Sequence, residues 1–212
     1  MSKKKLRWKK VAATGVITAS LALGFWASKA FYTVKKVIDG DTFITLENQY
    51  IRLDSVNAPE LDYCLGKESK DELSKLILGK KVYLRVTYID GYKRLVASVF
   101  TIGGNVGEMM LTKGMATYQN KGNQDQSDLL KASQTAREKG IGVYSQTCTQ
   151  TINPENPKCN IKGNVNRLSR LYRYPGCNAY QTTLVQLHLG DRWFCTKSHA
   201  IKAGFTKGDD CY

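Results

Sequence analysis

Between Tyr32 and Phe100 the chain passes through short stretches of alternating apolar and polar residues, each closed by a turn. Tyr32 to Ile38 ends at Asp39-Gly40, Thr42 to Leu46 ends at Glu47-Asn48-Gln49, and Tyr50 to Leu53 follows; farther on, Lys81 to Ile89 turns at Asp90-Gly91 into Arg94 to Phe100. A period of two sends successive side chains to opposite faces, so each stretch can bury only one face and needs neighbours to do it. Three such strands at hairpin spacing predict an antiparallel meander. Gly66 to Leu78, by contrast, carries Leu73, Leu76 and Ile77 at helical spacing and stops at Gly79. Val106 to Thr112, ending near Gly114, and Ser127 to Lys139, ending at Gly140, predict two more helices. Five strands with about three helices inserted and appended predict an α+β chain built on a small Greek-key barrel of OB type.

Asn153-Pro154-Glu155-Asn156-Pro157 can continue neither helix nor sheet, so a linker over 151–158 separates a barrel domain, 31–150, from a small segment, 159–212. Four of the six cysteines, Cys159, Cys177, Cys195 and Cys211, fall in that last segment, with Cys64 and Cys148 in the barrel domain. No Cys-x-x-Cys pair is present, which favours disulfides that staple a piece too small to fold on its core alone, with structural zinc as the competitor. The even split of cysteines suggests a Cys64 to Cys148 bridge.

Residues 1–30 have a lysine-rich head and an uncharged run from Val11 to Ala27, the arrangement of an export signal. Ser28-Lys29-Ala30 offers a small-x-small cleavage site, so both a cleaved signal and a single membrane anchor stay open. Either places the rest of the protein outside the cytoplasm, an oxidising setting consistent with disulfides. The formal charge of +14 is uneven, with seventeen basic against fifteen acidic side chains over 31–158 and eight against three over 159–212. Attraction to a polyanion therefore belongs to the ends of the chain rather than to its middle.

Within that nearly neutral middle, Asp41 follows a tight turn, Arg52 lies on a strand, Asn57-Ala58-Pro59-Glu60 follows it, and Arg94 opens the last strand. Phosphodiester hydrolysis needs a base for water, a cation on a non-bridging oxygen and fixed positive charge for the five-coordinate transition state. Glu60, Asp41 with a divalent ion, and the pair Arg52 and Arg94 can supply these.

Those residues, in that order, resemble the thermonuclease family, whose best-known member is staphylococcal nuclease. The resemblance covers Val37 to Tyr144 and rests on Asp39-Gly40-Asp41-Thr42, Arg52-Leu53, Pro59-Glu60, and the arginine after Asp90-Gly91-Tyr92-Lys93. It implies an OB-fold phosphodiesterase acting on DNA, RNA or both with calcium, with Arg52, Glu60 and Arg94 catalytic and Asp41 a calcium ligand. Asn57 stands where the family commonly has a second aspartate ligand, and Ala58 where a backbone carbonyl serves. Tyr92, Lys93 and Tyr118 correspond to groups that contact substrate. Attack leaving 3′-phosphates and a monomeric enzyme are further implications. The C-terminal segment resembles a small module appended to exported bacterial nuclease-like proteins, with Arg173 where the usual form has histidine. Its Tyr172, Tyr174, Tyr180, Trp193 and Phe205 can form either a nucleic-acid stacking face or the segment's own core. The rival to an enzyme is a non-catalytic OB-fold protein that binds nucleic acid at the cell surface; a third reading makes the barrel a spacer for an active C-terminal segment.

Overall fold

A computed structural model of the chain describes residues 31–120, 126–166 and 168–212. The export signal or anchor expected at 1–30 lies outside them. Among the described residues no helix is long and apolar enough to cross a membrane.

Strands β1 (Phe31–Val37), β2 (Thr42–Thr45) and β3 (Tyr50–Leu53) form the expected meander, followed by the short β4 (Val56–Asn57) and helix α1 (Gly66–Ile77). Then come β5 (Lys81–Ile89), β6 (Leu95–Thr101), β7 (Gly104–Asn105), α2 (Val106–Thr112), β8 (Thr117–Tyr118) and α3 (Ser127–Glu138). The order β3-β2-β1-β5-β6 closes on itself because β3 also pairs with β6 in parallel, Arg52 opposite Val96, giving a five-stranded barrel. Phe43, Ile51, Leu53, Val82 and Ala97 fill its interior, and Leu73 and Ile77 of α1 with Met110 and Leu111 of α2 join the same core. Full burial of a side chain such as Ile51 or Leu53 contributes about 1.5–3 kcal/mol. Arg52 is thus flanked on both sides, by Thr42 of β2 and Val96 of β6, on a strand whose neighbours are locked into the core.

The chain continues through β9 (Thr149–Gln150), β10 (Ile161–Val165), β11 (Arg170–Arg173), β12 (Val185–Gln186), β13 (Arg192–Phe194), α4 (Lys197–Lys202) and β14 (Thr206–Lys207). A small sheet, β13-β10-β11-β14, carries its own core of Ile161, Tyr172, Phe194, Ala200 and Phe205. Tyr172, Phe194 and Phe205 are therefore interior side chains rather than a stacking face. Trp193 is half-buried and donates from Nε1 to Gln150 Oε1. Two of the segment's cations are tied within the fold: Lys162 is buried with Nζ donating to the Tyr180 and Thr183 carbonyls, and Arg173 pairs with Asp210 at 2.9 Å. All six cysteines are paired, Cys64 with Cys148, Cys159 with Cys195 and Cys177 with Cys211. By loop entropy each bridge contributes about 3–5 kcal/mol, which compensates for the small second core.

The two cores are joined by the β9–β12 pair and by the turn that follows β12, where the Leu187 N–H donates to the Cys148 carbonyl at 2.8 Å. His188 in this turn is buried with no hydrogen-bond partner for either ring nitrogen. Burial pushes its imidazole below the usual 6.5; the Cys148 backbone opposes this without reaching hydrogen-bond geometry, and the Arg137 guanidinium adds to it. The folded state therefore binds this proton less well than the unfolded chain. The stability from neutral His188 is fully present above about pH 6.5 and is lost as pH falls below it, by at most about 1.4 kcal/mol per pH unit. Urea melts of wild type and His188→Leu between pH 5 and 8 check this: the wild type should lose stability on the acid side and the variant should lose less.

Candidate active site

The β1–β2 turn, Asp39-Gly40-Asp41, forms one wall. A Cβ at Gly40 would collide with Ser69 Oγ and Ala58 Cβ, so only glycine lets this turn lie against α1 and the chain after β4. Asp39 Oδ1 accepts the Asp41 N–H at 2.9 Å, which fixes the turn. The Asp41 side chain then points inward: Oδ1 accepts from Thr42 Oγ1 at 2.8 Å, and Oδ2 accepts from the Ala58 N–H at 3.1 Å and pairs with Arg52 Nη1 at 3.0 Å. Burial pushes the Asp41 carboxyl up to about 6; Arg52 pulls it down, Asp39 adds to the rise, and the Ala58 and Thr42 hydrogen bonds oppose it. The rise comes chiefly from loss of hydration, which the guanidinium only partly offsets, and a cation bound beside the carboxylate would favour its charged form further.

Arg52 is held at three points. Besides Asp41, its Nη1 donates to the Val56 carbonyl at 2.8 Å and its Nη2 to Asn57 Oδ1 at 3.0 Å. Arg94 is held differently. The Asp90 carboxylate accepts the Tyr92 and Arg94 N–H groups through Oδ1, and Arg94 Nε and Nη2 through Oδ2 at 2.9 and 2.8 Å. Partial desolvation raises the Asp90 carboxyl, but these hydrogen bonds and the Arg94 charge outweigh it and hold it below its usual value. The Arg94 guanidinium lies 5.2 Å from the centre of the Tyr92 ring.

Seven of the nine residues singled out in the sequence, Asp41, Arg52, Asn57, Ala58, Glu60, Tyr92 and Arg94, line one cleft of about 240 Å³. Lys93 and Tyr118 do not line it. Lys93 is a turn residue with left-handed φ of 62°, and Tyr118 on β8 pairs with Val56 of β4 and packs against the barrel core. Asp39 and Pro59 complete the lining. The sequence reading left out Asp39, although its signal was present as a second carboxylate two residues from Asp41 in the same turn. The lining thus holds three carboxylates, Asp39, Asp41 and Glu60, against two guanidiniums. Glu60 is exposed and, among the described residues, its side chain has no hydrogen-bond or ion-pair partner, so its carboxylate is available to a water molecule.

Among the described residues no three His, Cys, Asp or Glu side chains form a metal cluster by themselves. Apart from Glu60, the lining residues that could offer oxygen to a cation are Asp39 and Asp41 through their carboxylates, Asn57 through its amide oxygen and Ala58 through its carbonyl. These oxygens are hard, uniform in element and few in charge, a set that suits calcium completed by water and substrate oxygens. Asn57 Oδ1 already accepts from Arg52. A second lone pair remains on that oxygen.

The family model described as "Staphylococcal nuclease homologue" matches residues 50–146. A staphylococcal-like nuclease of Arabidopsis thaliana is 35% identical over 107 residues, 50% of this chain and 31% of the plant protein. An uncharacterized endonuclease of Escherichia coli is 32% identical over 117 residues, 53% of this chain and 75% of its own length. A micrococcal nuclease of Shigella flexneri is 27% identical over 153 residues, 66% of this chain and 86% of that protein. The chain thus spans less than a third of the plant relative but three quarters or more of the two bacterial ones. Identity of 32% across three quarters of a bacterial relative, with the family model matched over the barrel, makes this chain a member of the staphylococcal nuclease homologue family.

Proposed function

We propose that this protein is an extracytoplasmic nuclease that hydrolyses phosphodiester bonds of DNA, RNA or both with the help of calcium. The observation that carries the reading is one small cleft holding the Glu60 carboxylate, which has no side-chain partner among the described residues, two guanidiniums, Arg52 and Arg94, and the buried carboxylate of Asp41. Relatives named as nucleases and endonucleases support it. Three disulfides with no free cysteine support a location outside the cytoplasm, secreted or held by the N-terminal segment.

Glu60 takes a proton from the attacking water, within reach of a phosphate seated against the arginines. Arg52, immobilised by Asp41, Val56 and Asn57, presents its remaining N–H groups to a phosphate oxygen without needing to reorganise. Arg94, oriented by Asp90 and Tyr92, faces the same phosphate and stabilises the charge that develops on its oxygens. Calcium, held by Asp41 with Asp39, Asn57 and the Ala58 carbonyl, would polarise a non-bridging oxygen and offset the excess of carboxylates. Contacts of this kind read backbone rather than bases, so sequence preference is weak. The family resemblance further implies attack that leaves 3′-phosphates.

The test is cleavage of a single-stranded DNA oligonucleotide by the purified protein in millimolar calcium and in excess chelator. Cleavage in calcium and none in chelator is expected. Because Asn57 supplies an oxygen without a formal charge, Asn57→Asp should lower the calcium concentration for half-maximal rate by about tenfold. A folded protein that binds the oligonucleotide but leaves it intact in calcium is a binding module, and the reading is then wrong.

A further inference from the structure

The segment that carries Glu60 is not held by the Glu60 side chain. The Glu60 carbonyl accepts the Tyr63 N–H at 2.9 Å, the Tyr63 carbonyl accepts the Gly66 N–H at 2.9 Å, and Leu65 adopts a left-handed φ of 63°. A Cβ at Gly66 would collide with the Glu60 carbonyl, so the loop folds back tightly on its own backbone before α1 starts. A compact loop of this kind moves as a unit, and whatever holds Tyr63 and Cys64 also sets where Glu60 lies. Tyr63 is held from the C-terminal segment, and Cys64 from the end of the barrel domain to which that segment is tied. Gly190 closes the Leu187–Leu189 turn with φ of 87°, and a Cβ there would come 2.7 Å from Tyr63 Cζ and 2.9 Å from its Cε2. The phenol ring is thus seated directly on the Gly190 backbone. Cys64 is bonded to Cys148, whose carbonyl accepts the Leu187 N–H at the other end of the same turn.

The geometry points to Tyr63 as a positioning residue through which the Leu187–Gly190 turn of the C-terminal segment sets the placement of Glu60 for attack on the phosphodiester. The inference rests on Glu60 being the base of the proposed nuclease. It gives the appended segment a part in the reaction of the barrel without any contact between that segment and substrate. A general base displaced by about 1 Å costs on the order of a hundredfold in rate, while substrate binding by Arg52, Arg94 and the metal ligands is untouched. The signature is therefore a loss in kcat with KM preserved.

Four full-length variants, Tyr63→Ala, Tyr63→Phe, Gly190→Ala and Glu60→Gln, with the double variant Tyr63→Ala/Gly190→Ala, test this on a single-stranded DNA oligonucleotide at saturating calcium. Tyr63→Ala and Gly190→Ala should each lower kcat by about ten- to a hundredfold, with KM and the half-maximal calcium concentration within about twofold of wild type. Tyr63→Phe keeps the ring and should restore the rate lost in Tyr63→Ala. The double variant should be no slower than Tyr63→Ala, because the methyl at Gly190 acts by displacing a ring that is no longer there. If Gly190→Ala fails to fold, the two Tyr63 variants decide the matter. Glu60→Gln inactive with folded Tyr63→Ala at wild-type kcat overturns the inference alone; an active Glu60→Gln removes Glu60 as the base and overturns the inference through its premise, while wild-type protein that binds the oligonucleotide without cutting it overturns the nuclease reading.

Discussion

Glu60→Gln should reduce calcium-dependent cleavage of single-stranded DNA by about 10²–10⁴-fold while leaving the fold and oligonucleotide binding intact. A general base contributes about this much when it is positioned and its neighbours are preserved. Glutamine keeps the length and one oxygen of the side chain but cannot accept a proton near neutral pH. The structural cost is small because Glu60 is exposed and, among the described residues, holds no partner that the change would strand. The measurement is single-turnover cleavage at saturating calcium beside a thermal melt. Cleavage near the wild-type rate would mean that water is activated elsewhere, with Asp39 the remaining carboxylate of the cleft outside the Arg52 ion pair.

The barrel was legible in the sequence to the extent that its strands are amphipathic. Val82 and Leu84 face the core while Lys81, Tyr83 and Arg85 face out, so the period of two shows directly in the residues. The closing contact is not of that kind. The parallel pairing of β3 with β6 joins Ile51 to Leu95 across the whole of α1 and β5, and no local pattern encodes a register between segments so distant. Helix α4 escaped notice because six residues, Lys197 to Lys202, are too few to display a helical period, although Thr196 caps it by accepting the His199 N–H. In the site, residues on the two turns and on β3 came together as their order implied. Asp39 was hidden by its first job: a carboxylate that caps a turn amide reads as turn chemistry, and only the fold reveals that it also lines the cleft. Tyr118 could not be placed because its environment depends on the pairing of β8 with β4, two strands of two residues each.

Arg94→Ala should lower cleavage by about 10²–10³-fold, the cost of removing one preorganised donor aimed at transition-state charge. It is a cleaner experiment than removing Arg52. Arg52→Ala leaves the buried Asp41 carboxylate without its counter-ion and the Val56 carbonyl and Asn57 amide without their donor, so lost activity and lost stability arrive together. The Asp90 carboxylate, by contrast, still caps its turn through the Tyr92 and Arg94 backbone N–H groups when the Arg94 side chain is gone. Its ion pair with Arg94 is partly open to solvent, where such pairs contribute about 0–1 kcal/mol. The melting temperature should therefore shift little while kcat falls. Arg94→Lys should recover only a small part of the rate. An ammonium cannot reproduce the fork whose Nε and Nη2 engage Asp90 while Nη1, 3.4 Å from Thr42 Oγ1, is turned toward the β2 side of the cleft. Cleavage by folded Arg94→Ala at the wild-type rate would remove this arginine from the reaction and leave Arg52 as the single phosphate clamp.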